Sequence, residues 1–254
     1  MRILLLGDIV GAKTIQYLGK MLWALRRDQS IDMVVANGEN ASDIMGLSAE
    51  DAQALLNYGV DVITGGNHTF HNRSLYSMLD NSPFLLRPAN CADAAPGVGS
   101  TIFECCGTRV LVLNLLGMMS LDAYASPFDT ADRILKKEAG KFDFALVDFH
   151  AESTAEKEAL GYYLDGRTAA VFGTHTHVQT ADAHILPGGT AYITDLGMCG
   201  PADGVLGTDR DVILKRFLTG TPQKFIPADG DIHLHGALLI MKERKAERIE
   251  PFRL

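Results

Sequence analysis

Several side chains able to bind metal or move protons stand at the close of apolar runs in this 254-residue chain. Asp8 follows "MRILLLG", Glu39 and Asn40 follow "MVVANG", and Asn67 and His68 follow "VITGG". His150 ends "FALVDFH", and His175 and His177 follow "AAVFGT". Two carboxylates, amide oxygens and three imidazoles suit borderline divalent metals such as Fe²⁺, Mn²⁺ or Zn²⁺ better than Ca²⁺ or Mg²⁺ alone. One zinc ion takes only three or four ligands. A surplus of about seven donors points to two ions about 3.5–4 Å apart, sharing one carboxylate.

Each residue alone has a plainer reading. Asp8 suits a turn, Glu39 and Asn40 a solvated loop, and Asn67–His68 the opening of a helix. His150 is harder to dismiss, because a buried imidazole needs partners. Asp148 and Glu152 flank it and are expected to orient an imidazole. The joint placement decides. Strand ends on one edge of an open α/β sheet form the ligand crevice, and core packing has no reason to put every such group there. His175 and His177, one residue apart on an extended backbone, are expected to share a face. His233 and His235 in "DIHLHG" have the same spacing, but no carboxylate block calls for them, and a surface strand is expected. His71 is expected near the mouth of the site, and His184 has no assigned role.

The elements that must deliver these groups are legible in outline. Arg2–Leu6, Asp32–Ala36 and "VDVIT" read as buried strands, separated by helices over about residues 12–28 and 49–58, the second opened by Ser48. A further helix is expected over Asn72–Leu79. This β-α-β-α-β alternation argues a mostly parallel sheet. "STIFECCGTRVLVLNLLG" reads as a hairpin turning at Cys106–Thr108. A helix near 128–139, the strand "FDFALVDFH", a helix Glu156–Leu164, the strands "AAVFG" and "GGTAYITDLG", and a helix Asp209–Leu218 follow. "IHLHGALLIM" and "ERIEPFRL" close the chain as antiparallel strands. The expected fold class is α/β, with two packed sheets flanked by helices.

Bulk properties restrict partners. A net charge of −8 argues against stable binding of extended nucleic acid, which needs a basic surface. Apolar runs are too short to span a bilayer, and the first is interrupted by Asp8 too soon for a signal peptide. No membrane association and a cytoplasmic location are expected. Four cysteines (Cys91, Cys105, Cys106, Cys199) form no C-x-x-C and read as reduced, structural thiols, with Cys199 near the site through "GMCGP". "GDIVG" lacks the later glycines of a dinucleotide-binding loop.

The ordered blocks "GD" (7–8), "NGEN" (37–40), "GGNH" (65–68), "DFHAE" (148–152) and "FGTHTHV" (172–178) resemble those of the calcineurin-like metallophosphoesterases. More closely, with "AYITDLGMCGP" (191–201), they resemble the YmdB-like branch, bacterial phosphodiesterases acting on cyclic nucleotides. The resemblance runs essentially end to end. It implies a single metallophosphoesterase domain over 1–254, a four-layer α-β-β-α sandwich of two mixed sheets between helices. It also implies two divalent metal ions, Fe or Mn foremost, with Zn or Mg as alternatives. Asp8, Asn40 and His177 would hold the first ion, and Asn67, His150 and His175 the second. Glu39 would bridge both, and His68 would be the acid beside the substrate. The superfamily's usual D-x-H is absent, position 10 being Val10, and Glu39 stands where aspartate is usual; the YmdB-like branch shares both changes.

The implied reaction is hydrolysis of a small phosphodiester by hydroxide held between two metals, with His68 protonating the leaving alkoxide. The implied substrates are 2′,3′-cyclic nucleotides, with 3′,5′-cyclic ones second. Selectivity falls to loops such as 41–48, 117–127 and 197–207. A homo-oligomer is expected from the family. The rival reading is a regulatory, metal-dependent nucleotide- or RNA-binding protein with little turnover.

Overall fold

Arg2–Leu6 is buried on both faces: Ile3 and Leu5 enter one apolar cluster, Leu4 and Leu6 another, as alternation requires. The computed structural model describes residues 1–42 and 44–254 and places this strand at the centre of a five-stranded sheet. Met33–Asn37 and then Val62–Thr64 extend that sheet in parallel. His235–Lys242 pairs with Arg2–Leu6 from the other side, antiparallel, and turns back into Lys245–Arg253. The second sheet runs Ser100–Cys105, Thr108–Leu116, Phe144–His150, Ala170–Thr174, Ala191–Ile193, His184–Ile185. Its central pairings are parallel and its two edges antiparallel.

Ile3, Leu5 and Val35 of the first sheet share one core with Val112, Leu146 and Phe172 of the second. Helices α1 (Ala12–Asp28), α2 (Ala49–Asn57) and α3 (Tyr76–Asn81) cover the first sheet's outer face through Leu18, Leu22, Leu55 and Leu79. Helices α4 (Pro127–Lys137) and α5 (Thr154–Leu164) cover the second through Ile134 and Leu160. The architecture is therefore α-β-β-α. Ser48, Ser126 and Ser153 each accept a hydrogen bond from the backbone N–H three residues on, capping α2, α4 and α5;. Helix α6 (Arg210–Thr219) is capped by Asp209. No helix among the described residues is long and apolar enough to cross a membrane.

Two expectations are corrected. Asn72–Leu79 is not one helix, because the Asn72 side chain accepts from Ser74 N and tightens Arg73–Leu75 into a 3₁₀ turn before α3. "IHLHGALLIM" is not one strand. Leu234 exchanges backbone hydrogen bonds with Leu254 and buries its side chain on the helical side. Ile232–His233 is left to pair with Met198–Pro201, and the long strand begins at His235.

The inter-sheet layer changes character along its length. The positions that point between the sheets are apolar at first (Val35, Val62, Val112, Leu146, Phe172). By the same alternation they become Asn37, Thr64, Asn114, Asp148 with His150, and Thr174 at the carboxyl ends, all buried;.

Candidate metal centre

The carboxyl ends of both sheets bring all eight sequence-selected residues to one place. His150 Nε2 lies 3.0 Å from Asn67 Oδ1, 3.1 Å from Glu39 Oε1 and 3.1 Å from His175 Nδ1. Beside this group, His177 Nε2 lies 3.7 Å from Asp8 Oδ1 and 3.2 Å from Asn40 Nδ2. Glu39 Oε1 faces both, 3.1 Å from His150 and 3.2 Å from Asn40 Nδ2. Its other oxygen accepts the His68 backbone N–H at 2.8 Å. The His68 ring stands at the edge, its Nδ1 2.8 Å from Asn40 Oδ1.

A buried polar lattice fixes these groups. His150 Nδ1 meets Thr174 Oγ1 at 2.9 Å, and that hydroxyl donates to Asp148 Oδ1 at 2.8 Å. Asp148 also accepts from Thr64 and Asn37, so it orients His150 through Thr174. Glu152 Oε2 contacts His175 Nε2 directly at 2.8 Å.

Burial raises the Asp8 carboxyl above its ordinary range, only partly offset by His177 and His150. Burial acts on Glu39 too, but His150 and His68 hold it well below that range. Burial opposes the His150 cation, yet Glu39, Asp8 and Asp148 lift its pKa to about 9. His175 is pushed down to about 4 by burial and by His150, and burial raises Asp148 to about 6. A protonated imidazole thus compensates the carboxylates.

Four observations fit divalent ions here. Asp8 Oδ1 is buried without a hydrogen-bond partner, a cost that a cation would remove. Cis ligands about 2.1 Å from an octahedral ion lie about 3.0 Å apart, the spacing of the His150 Nε2 group. Glu39, His150 and His175 offer ligand atoms within 4.8 Å of one another. A Cβ on Gly66 would collide with Glu39 Oε2 and His150 Nε2, so glycine keeps the cradle open. Asn40 turns its NH₂ toward Glu39 and His177; service as an oxygen ligand requires that amide turned over.

A family model described as "YmdB-like protein" matches residues 4–252. This chain belongs to the YmdB-like family. A Bacillus subtilis protein named 2′,3′-cyclic-nucleotide 2′-phosphodiesterase is 43% identical over 252 residues, covering 98% of this chain and 96% of the relative. A crystal structure of a hypothetical protein from Thermus thermophilus superposes with a TM-score of 0.94 at 39% identity, over 100% of this chain and 99% of the other. The structure of a phosphatase from Mycoplasma pneumoniae gives a TM-score of 0.92 at 32% identity, over 100% and 93%.

In this YmdB-like chain the two histidines of "THTH" converge by another route than the extended backbone expected. The strand ends at Thr174, and His175 and His177 have φ of 101° and 64°, a region L-residues occupy only where the surroundings enforce it. The enforcement is visible. Asp8 Oδ2 accepts His175 N at 3.0 Å, and Asp195 Oδ2 accepts Thr176 N at 3.1 Å. Lys157, fully buried on α5, donates to the same Asp195 oxygen at 2.7 Å. Sequence reading missed both partners. Asp195 stands just beyond the strand Ala191–Ile193 and satisfied the strand-end rule; Lys157 carried no signal.

His233 is exposed and His235 half-buried, and among the described residues neither imidazole bonds to the centre. The His71 ring packs edge-on against His68 with centroids 5.0 Å apart, and exposed His184 packs against Tyr192. Cys199 pairs with Ile9, one residue beyond Asp8, its thiol pushed up by burial to about 12. Two cavities open on either side of His68. One of about 550 Å³ reaches Met45, Leu206 and Phe217; the other, about 480 Å³, reaches Phe70, Leu121 and Tyr124. Parts of the loops 41–48, 117–127 and 197–207 line them, position 43 lying outside the described residues.

Proposed function

We propose that the chain is a metal-dependent phosphodiesterase acting on small phosphodiesters, foremost 2′,3′-cyclic nucleotides and secondarily 3′,5′-cyclic ones. The observation that carries the reading is Glu39 Oε1, which faces two separate donor groups at a mouth edged by His68. The phosphodiesterase name of the 43%-identical Bacillus subtilis relative supports the substrate class.

Asp8, Asn40 and His177 would hold one ion, Asn67, His150 and His175 the other, with Glu39 between; iron or manganese suits these donors best. When bound, such ions supply Lewis acidity toward phosphate oxygens and acidify water toward neutral pH. The chain's own residues do the rest. Asp148, through Thr174, keeps the His150 Nε2 lone pair aimed at the centre and Nδ1 turned away;. Glu39 holds the backbone of His68 beside the site, where the His68 imidazole delivers a proton to the departing ribose oxygen. No side-chain nucleophile is required.

The test compares His68→Ala with the wild type on 2′,3′-cyclic AMP and on bis-(p-nitrophenyl) phosphate, with metal content measured on both. The variant should keep its metal and lose about 10²–10⁴-fold in kcat on the cyclic nucleotide. Its loss should be smaller on the aryl ester, whose leaving group needs no proton. Full activity on the cyclic nucleotide with metal retained would contradict the assignment.

A further inference from the structure

The geometry points to a nucleoside pocket on the α6 side of the metal centre, with the faces of Phe217, Phe225 and Arg216 stacking on the nucleobase. The inference rests on the phosphodiesterase reading and names the part of the substrate that this wall would take. The cavity of about 550 Å³ shares Glu39, Asn40, His68, His175 and His177 with the metal centre, so a group entering it stays joined to a phosphate held there. Its volume lies within the range of sites that enclose small ligands.

The wall formed by α6 and Phe225 has the chemistry of a stacking platform. Helix α6 buries only Ile213; Arg216 and Phe217, three and four residues on, share that face and line the same cavity. The Arg216 guanidinium lies 5.0 Å from the Phe225 ring centroid, a planar cation laid on an aromatic ring. Phe217 is 81% exposed, and no aromatic or cationic side chain among the described residues stacks on it.

The adjoining wall, which leads into α6, is tied to the centre itself. Gly204–Val205 and Thr208–Asp209 form a tight ribbon, turning at Leu206–Gly207 with φ of 53° and 84°. The Leu206 carbonyl faces His177 Nδ1 at 3.2 Å, while Val205 and Leu206 line the cavity. One turn therefore both orients His177 and walls the pocket. Aromatic and guanidinium planes with few hydrogen-bonding groups hold a planar base by stacking and tolerate its identity. A lipid chain would draw no benefit from the stacked guanidinium.

The test is isothermal calorimetry on manganese-loaded protein with adenosine 3′-monophosphate and with inorganic phosphate, reading the ratio of the two dissociation constants. Wild-type protein should bind the nucleotide at least about tenfold more tightly than phosphate. Phe217→Ala, at an exposed position, and Phe225→Leu should each reduce that ratio by about 5-fold or more, within the range for a lost base stack. A wild-type ratio near one, or a ratio preserved in the double variant, overturns the pocket. Hydrolysis of 2′,3′-cyclic AMP is followed on the same samples. Nucleotide binding through these residues without hydrolysis contradicts the phosphodiesterase reading alone; hydrolysis with an unchanged ratio contradicts the pocket alone.

Discussion

Glu39 is the side chain on which the centre turns, because one oxygen is pinned by the His68 N–H while the other faces both donor groups. Glu39→Gln keeps the shape and removes the charge. Metal content after dialysis should fall more than about tenfold in affinity, read by elemental analysis, and unchanged occupancy would count against a bridging role. His150 carries a second prediction. In the metal-free chain Glu39 and its neighbours raise its pKa to about 9, against about 6.5 in an unfolded chain. The stability this confers is complete below about pH 6.5 and is lost as pH rises through about 9. His175, lowered to about 4, titrates below that window and leaves its sign unchanged. Chelated protein should therefore melt at falling temperature from pH 6.5 to 9. Metal binding near pH 7 should release protons, seen as calorimetric heats that depend on buffer ionisation; a melting temperature that rises over the same range would contradict the ion-pair account.

The turn after Ala170–Thr174 illustrates what elements add to residues. His175 and His177 were legible from type and from their place beyond an apolar strand, but the extended backbone that their spacing implied is replaced by two positive φ angles. The cause is tertiary: Asp8 and Asp195 take the N–H groups of His175 and Thr176, and no local pattern encodes acceptors 167 and 19 residues away. Lys157 was invisible for a related reason. Helical periodicity marks apolar positions, and a lysine buried against Asp195 looks like any solvated helix residue. Lys157→Met leaves that carboxylate buried and unpaired, at a cost of about 3–5 kcal/mol. Urea denaturation should show this as a lower midpoint, and Lys157→Met combined with Asp195→Leu should lose less stability than the single variant. A single variant as stable as wild type would show that the pair does not hold the turn.

Across the whole molecule, the strands and their direction were legible because each central strand is a continuous apolar run whose alternate side chains serve two cores. That the chain's last two strands return to the first sheet depends on register with Arg2–Leu6, which no periodicity reveals. The same construction explains why function sits at one edge. The inter-sheet layer is apolar over most of its depth and becomes amide, hydroxyl, carboxylate and imidazole at the carboxyl ends. His233 and His235 share the spacing of His175 and His177, and the His235 backbone even accepts the Gly7 N–H at the end of Arg2–Leu6. The His235 ring, however, neighbours Arg253 and His233, so the direction of the side chains, not their spacing, separates the two pairs. The decisive measurement is titration of chelator-treated protein with Mn²⁺ while following hydrolysis of 2′,3′-cyclic AMP. Turnover should be absent without metal and should reach its plateau at two ions per chain. Full turnover in the chelated protein, or a plateau at one ion, would contradict a two-metal phosphodiesterase.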